Sequence, residues 1–291
     1  MPKLDETALV FEGGGMRASG TSPVVVSLIK DNIVFPHVSG ISAGSSNSIN
    51  YMGGDVQRSK ECWVDFLGSP QIGGLNTFVK GEGYFNAEYI YETATSPGQA
   101  LSYNYEAFQN HPANLRIGAY RVSDGKEQYW DKASMRSQTD LMQKVRASST
   151  MPGLMLPIEV DGELYMDGAL GPSGGIHLDA AMGDGYENFV VVMTRPRSYR
   201  KSAPRRPEFF RRYFREYPTV AEGLINRWHH YNRTRDRLFE LEREGRAWLY
   251  FPDKMMVSNH EKNVAKLQAN YNAGEAQIAR MWPDLMRFLE L

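Results

Sequence analysis

HVSGISAGSSNSIN, residues 37–50, carries G-x-S-x-G as Gly40-Ile41-Ser42-Ala43-Gly44, between an apolar run and a stretch of small residues. Where a strand enters a helix through this pattern, the serine sits on a sharp turn that lifts its hydroxyl above the sheet edge. The small residues Gly40 and Gly44 let strand and helix pass closely beneath it. The pattern also arises by chance, so its meaning depends on what stands beside it.

One unit earlier stands EGGGMRASG, residues 12–20, directly behind the apolar run 8–11. Read alone, Gly13-x-Gly15-x-x-Ala18 satisfies the dinucleotide-binding pattern. That reading needs an acidic residue about 20 positions on, at the tip of the second strand. The tip instead reads VSGISAGS, without an acid. A P-loop fails as well, because no Gly-Lys-Ser/Thr follows. In a parallel sheet the two loops would lie side by side. One could supply backbone N–H donors, the other a nucleophile.

A serine is a weak nucleophile unless a base takes its proton. The histidines are His37, His111, His177, His229, His230 and His260. The chain order Ser42, Asp167, His177 allows an α/β-hydrolase triad, although such folds usually place several strands before the elbow. Asp167 in LYMDGAL, just after a hairpin strand, is the other base candidate. The residues alone leave both open.

Working outward, residues 7–11 and 33–38 read as strands, the second despite Pro36, and 22–30 as a helix. Residues 55–66 and 86–93 look helical. Residues 114–121 and 126–130 form a hairpin through SDG, 138–147 a helix, and PIEVDGELYMDGAL a second hairpin turning at Asp161-Gly162. Residues 188–194 are the most apolar strand, 218–244 a long charged helix, RAWLYF a last strand, and two helices split near Gly274 finish the chain. Strands alternating with helices, several continuously apolar, define an α/β fold with a mostly parallel sheet covered on both faces.

The 291 residues are 42% hydrophobic and 23% charged, ordinary for a globular chain. A net charge of -1 exerts no global pull on nucleic acid. The single cysteine, Cys62, excludes an intramolecular disulfide and a Cys-rich zinc site, and fits a reducing compartment. The start MPKLDETALV lacks the features of a signal peptide, and no apolar run reaches the roughly 18 to 20 residues of a membrane span. The expectation is a cytoplasmic chain forming one domain over 1–291, with its motifs in 7–170 and its C-terminal helices and last strand in 218–291.

Residues 195–217 carry nine Lys and Arg against Glu208 and Glu216, a local net of +7, with six interleaved aromatics. Either these charges pair with acids elsewhere, or Arg205, Arg206, Phe209, Phe210, Arg211 and Arg212 face an anionic membrane surface, placing the protein peripherally on it. No RNA or DNA motif accompanies the patch, so nucleic acid is not expected as a partner.

At its motifs the sequence resembles the patatin-like phospholipases, and more closely the bacterial patatin-like proteins of that family. The family's Gly-Gly-Gly-x-Arg/Lys-Gly loop appears as residues 13–18, its G-x-S-x-G as 40–44, and its Asp-Gly-Gly/Ala as Asp167-Gly168-Ala169. VRASSTMPG, VVVMTRPRSYR and LEREGRAWLYFP extend the likeness over nearly the whole chain. The resemblance implies a three-layer α/β/α sandwich and a serine–aspartate dyad without histidine. Ser42 would be the nucleophile and Asp167 the base. N–H groups of Gly13, Gly14, Gly15, Met16 and Arg17 would hold the oxyanion, with Arg17 fixing the loop. It implies lipid acyl esters as substrates, with no cofactor and no metal. Ala18 stands where the family carries glycine, and its methyl matters only if that position needs φ > 0 or close backbone contact. A thioesterase or small-ester hydrolase with the same dyad, and an inert lipid- or protein-binding relative, are the alternatives.

Overall fold

Eight short runs, apolar above all at Thr7–Phe11, Asn188–Val192 and Ala247–Tyr250, become the strands of one sheet. The computed structural model describes residues 2–74, 77, 79 and 83–291. In chain order the main elements are β1 (Thr7–Phe11), α1 (Ser22–Lys30), β2 (His37–Ile41), α2 (Ala43–Gly53), α3 (Val56–Glu61), α4 (Tyr105–Asn110), β3 (Asn114–Arg121) and β4 (Glu127–Asp131). There follow α5 (Gln138–Ser149), β5 (Ile158–Val160), β6 (Glu163–Asp167), α6 (Leu178–Gly183), β7 (Asn188–Val192), α7 (Pro207–Tyr213), α8 (Pro218–Arg243), β8 (Ala247–Tyr250) and α9 (Val264–Leu289).

The strand order is β5-β6-β3-β2-β1-β7-β8, with β4 also paired to β3. The five strands from β3 to β8 along this path are parallel, while β4, β5 and β6 join antiparallel. Parallel strands need both faces covered, and the side-chain alternation shows that they are. Leu9, Phe11, Val190, Val192, Trp248 and Tyr250 pack with residues of α1, α2, α5 and α9. Ala8, Val10, Phe189, Val191, Ala247 and Leu249 pack with α6 and α8. The result is a three-layer α/β/α sandwich.

One detail of register positions the site. Residues 116–118 of β3 pair with both β2 and β4, and residues 119–120 with both β4 and β6. A strand has two edges, so β2 and β6 share one edge of β3 and run toward each other along it. β2 ends with Ile41 opposite Gly118, and β6 ends with Asp167 opposite Ala119. Ser42 and Asp167, 125 positions apart in the chain, meet at that junction.

Several expectations need correction. The second strand is His37–Ile41 rather than 33–38: Pro36 has no N–H to give a ladder, its carbonyl accepts the Asn114 N–H, and pairing begins after it. The helix expected over 55–66 stops at Glu61, and 86–93 contains a π-helical turn at Tyr89–Thr93. The two C-terminal helices are one, Val264–Leu289. Gly274 lies inside it because a side chain there would collide with the carbonyl of Gly20. Among the described residues no helix is long and apolar enough to cross a membrane.

Candidate active site

Ser42 has φ 57° and ψ -127°, a conformation in which a non-glycine residue stores strain of about 1–3 kcal/mol. Its surroundings hold it there. The Ser42 N–H donates to Ser148 Oγ at 2.9 Å, and that hydroxyl donates to the Gly118 carbonyl at 2.6 Å. The Ser42 carbonyl accepts the Ser45 N–H at 2.9 Å and the Ser45 hydroxyl at 2.6 Å. A side chain at Gly40 would strike the backbone of Gly44, and one at Gly44 would strike the Phe11 carbonyl. The turn is therefore built on close backbone contact at both motif glycines.

Asp167 is 6% exposed. Its Oδ1 accepts the Ala169 N–H at 2.9 Å, and Ser42 lines the same polar cavity beside it. Gly168 is needed beside it, since a Cβ there would lie 2.5 Å from the Gly118 carbonyl oxygen. Burial pushes the Asp167 carboxyl above its ordinary range, against the opposing pull of the Arg227 charge, the Ala169 N–H and the Ser42 hydroxyl.

His177 is elsewhere. It is fully buried, its ring 4.5 Å from that of Tyr129 and wedged against Gly118. Neither ring nitrogen has a hydrogen-bond partner among the described residues. Burial, then the His37 charge, lowers its pKa to about 3, so it is neutral.

The glycine loop passes directly over Ser42: a Cβ on Gly13 would lie 3.1 Å from Ser42 Cβ. Three of its five N–H groups already have acceptors. Gly13 donates to Gly175 O at 3.0 Å, Met16 to Asn259 O at 3.1 Å, and Arg17 to Gly14 O at 3.4 Å. The N–H groups of Gly14 and Gly15 have none among the described residues, which narrows the five sequence candidates to two. Gly15 has φ 55° and leaves no room for a side chain against the Asn259 carbonyl. The Arg17 side chain makes no hydrogen bond among the described residues, so the loop is held by Gly175, Thr194 and Asn259 rather than by Arg17. Ala18 has no positive φ, and its buried methyl packs with Ala43 and Trp63. Nothing there requires glycine.

Two cavities of opposite character meet at Ser42. One is apolar, of about 70 Å³, lined among others by Met16, Trp63, Phe85, Met142, Met151 and Met155. The other is polar, of about 270 Å³, and holds Ser42, Asp167 and the glycine loop. Unbranched methionines reshape readily, so the narrow apolar cavity can widen around a chain.

The basic aromatic segment is divided. Arg205 and Arg206 are exposed ahead of α7, and Phe209 is 59% and Tyr213 55% exposed. Phe210 instead packs inward with Tyr120, Met166 and Phe214. Arg211 pairs with Glu208 and Glu222. Arg212, Phe209 and Tyr213 line a groove with Leu154, Met155 and the exposed Leu156. Leu154 also lines the polar cavity and Met155 the apolar one, so the groove adjoins the site.

Thr194, Ser148, Asn259 and Arg227 were not legible as site residues. Asn259 acts through its backbone carbonyl, which has no sequence signature. The others are ordinary residue types brought in by distant elements.

A buried serine on a strained strand–helix turn, sharing a polar cavity with a buried carboxylate above a parallel sheet, is a framework of the hydrolase kind. A family model, Patatin-like phospholipase, matches residues 9–178, more than half of the chain, and the chain belongs to that family. Its members are lipid acyl hydrolases. A second model, Domain of unknown function (DUF6363), matches residues 217–290. No curated protein matches the chain. Among solved structures, VipD from Legionella pneumophila aligns with a TM-score of 0.46 at 11% identity, over 95% of this chain and 67% of that one.

Proposed function

We propose that the protein hydrolyses lipid acyl esters with a Ser42–Asp167 dyad. The meeting of buried Ser42 and buried Asp167 in one polar cavity, where β2 and β6 end against adjacent residues of β3, carries this reading. Ser42 Oγ attacks the ester carbonyl while Asp167 takes its proton. The Gly14 and Gly15 N–H groups receive the negative charge that develops on the carbonyl oxygen. Asp167 returns the proton to the departing alcohol, then accepts one from the water that attacks the acyl group and passes it to Ser42 Oγ as the acyl–oxygen bond breaks. The acyl chain enters the apolar cavity. Residues 9–178 and 217–290 act as one unit over 1–291, since Asn259 holds the loop and Arg227 biases the base. A fluorophosphonate should label wild type and leave Ser42→Ala unlabelled; an unlabelled wild type would return the chain to the inert-relative reading. A thioester matched in acyl chain to the ester separates esterase from thioesterase.

The raised Asp167 pKa gives a signed pH prediction. The base works only as carboxylate, so kcat/KM on a soluble ester falls with acid through a pKa above the ordinary value of about 3.9. Arg227→Gln removes the charge that favours the carboxylate and moves this limb further up. For stability, a carboxyl raised on folding costs nothing below its unfolded pKa, where both states are protonated. The cost grows as pH rises through the window and is complete above the folded pKa. Asp167→Asn should therefore have a higher Tm than wild type at pH 7, with the difference vanishing below about pH 3.9. An equal Tm gap at both ends would contradict the assigned burial cost.

The exposed ends of the basic segment suggest docking on an anionic lipid surface. Replacing Arg205, Arg206 and Arg212 with Gln and Phe209 and Tyr213 with Ser should weaken sedimentation with anionic vesicles, and high salt should shrink the difference. Turnover of a short soluble ester should persist. Unchanged sedimentation would leave the segment as a solvated face.

A further inference from the structure

The polar cavity beside the dyad is lined by four cations: Arg17 of the glycine loop, Arg195 and Lys201 beyond β7, and Arg227 of α8. Their immediate neighbours in sequence are neutralised, Arg197 by Glu242 and Arg200 by Asp236. Arg17, Arg195, Lys201 and Arg227 take part in no ion pair among the described residues. The two carboxylates that share the cavity have other partners. Glu12 accepts from the Thr194 N–H and hydroxyl, and Asp167 from the Ala169 N–H. Arg17 is only 8% exposed, and its Nε, like that of Arg227, has no acceptor.

Arg17 is buried and Arg195, Lys201 and Arg227 are half-buried; like charges drawn partly out of water are costly, and the cost is visible in Lys201 and Arg17. Burial, followed by Arg227, Arg195 and Arg17, pushes the Lys201 ammonium down to about 7. Burial and Arg195 bring Arg17 down to about 10. An anion in the cavity relieves both.

We infer that this cavity is a subsite for a phosphate oxyanion on the alcohol side of the scissile ester, built jointly by the glycine loop and by Arg195, Lys201 and Arg227 from beyond the matched patatin segment. The inference rests on the dyad reading above. Ser42 stands where the two cavities meet, so an acyl chain in the apolar one directs the alcohol portion into the basic one. Four cations against two carboxylates leave two positive charges, suited to a phosphate ester, and guanidinium groups match its oxygens in fork geometry. A volume of about 270 Å³ is many times what one water needs and leaves room for a glycerol phosphate. The C-terminal segment of otherwise unknown role thereby contributes Arg227 to substrate choice.

The test compares 1-acylglycerol 3-phosphate with the neutral 1-monoacylglycerol of the same chain, both below their micelle concentrations. Wild type should favour the phosphate by at least about tenfold in kcat/KM, the worth of one charge-assisted hydrogen bond. Lys201→Gln with Arg227→Gln should bring that ratio near one; Lys201→Gln with Arg195→Gln is the second variant should the first fail to fold. Taking the ratio cancels any effect of Arg227 on Asp167. Inorganic phosphate should raise the wild-type Tm and not the variant's, a readout that needs no turnover. Equal use of the two lipids by wild type, or equal loss of both in the variants, overturns the subsite. So does phosphate binding without lipid preference, which marks a free-anion site instead. Failure of fluorophosphonate labelling would strike the dyad reading alone, and the Tm shift would still decide the anion site.

Discussion

Ser42→Ala and Asp167→Asn each lower kcat/KM on a soluble acyl ester by about 10⁴-fold or more, the scale seen when members of a nucleophile–base unit are removed singly, whereas His177→Leu keeps most of the activity. A triad demands the opposite of the third variant, because there the imidazole is the base and the aspartate only orients it. The geometry behind the expectation is specific. Asp167 and Ser42 line one polar cavity that no histidine lines, while His177 lies fully buried against Tyr129 with both nitrogens unpartnered. Leucine keeps much of the buried volume and removes two unsatisfied polar atoms, so folding should survive. Asparagine keeps an oxygen for the Ala169 N–H and loses only the basicity. Circular dichroism confirms the fold of each variant. A folded but inactive His177→Leu enzyme would sink the dyad.

How far the site was readable follows from what each part demands. Gly40 and Gly44 were legible because a close strand–helix crossing admits no side chain, so the chemistry writes itself as residue type at fixed spacing. The hairpin at Asp161-Gly162 was legible for a similar reason, both residues having positive φ. β2 was misplaced because Ser39 and Gly40 carry little strand propensity; its place is fixed by pairing with β1 and β3. The end-to-end meeting of β2 and β6 on one edge of β3, which joins Ser42 to Asp167, is a property of topology that no local pattern encodes. The charges of residues 195–217 were equally opaque. Glu242, Asp236 and Glu222, which neutralise three of those arginines, come from α8 after a turn of the chain. What the sequence presents as one basic stretch divides in space into three paired arginines, two cations that line the polar cavity, and the exposed Arg205, Arg206, Arg212 and Arg215. The unbroken α9 illustrates the same limit: Gly274 reads as a break until Gly20 is seen pressing on it.

The glycine loop offers the other large effect. A Cβ on Gly14 would lie 2.5 Å from Thr194 Oγ1 and 2.8 Å from its Cβ and Cγ2. Thr194 is not free to swing aside, since its Oγ1 lies 3.0 Å from Glu12 Oε2 and 3.1 Å from the Gly13 carbonyl oxygen. In Gly14→Ala the loop itself must move, carrying the Gly14 and Gly15 N–H groups off their aim. On the proposed mechanism those donors act on charge that exists in the transition state, so the loss should fall on kcat and leave KM little changed. Each misplaced donor is worth about 10²–10³ in rate, and fluorophosphonate labelling, which develops the same charge, should slow in parallel. Adding Thr194→Gly clears all three clashing atoms and should restore part of the rate, an outcome that simple loss of stability would not give. A folded Gly14→Ala enzyme with wild-type kcat would show that the loop only shapes the turn, and the oxyanion would have to be held elsewhere.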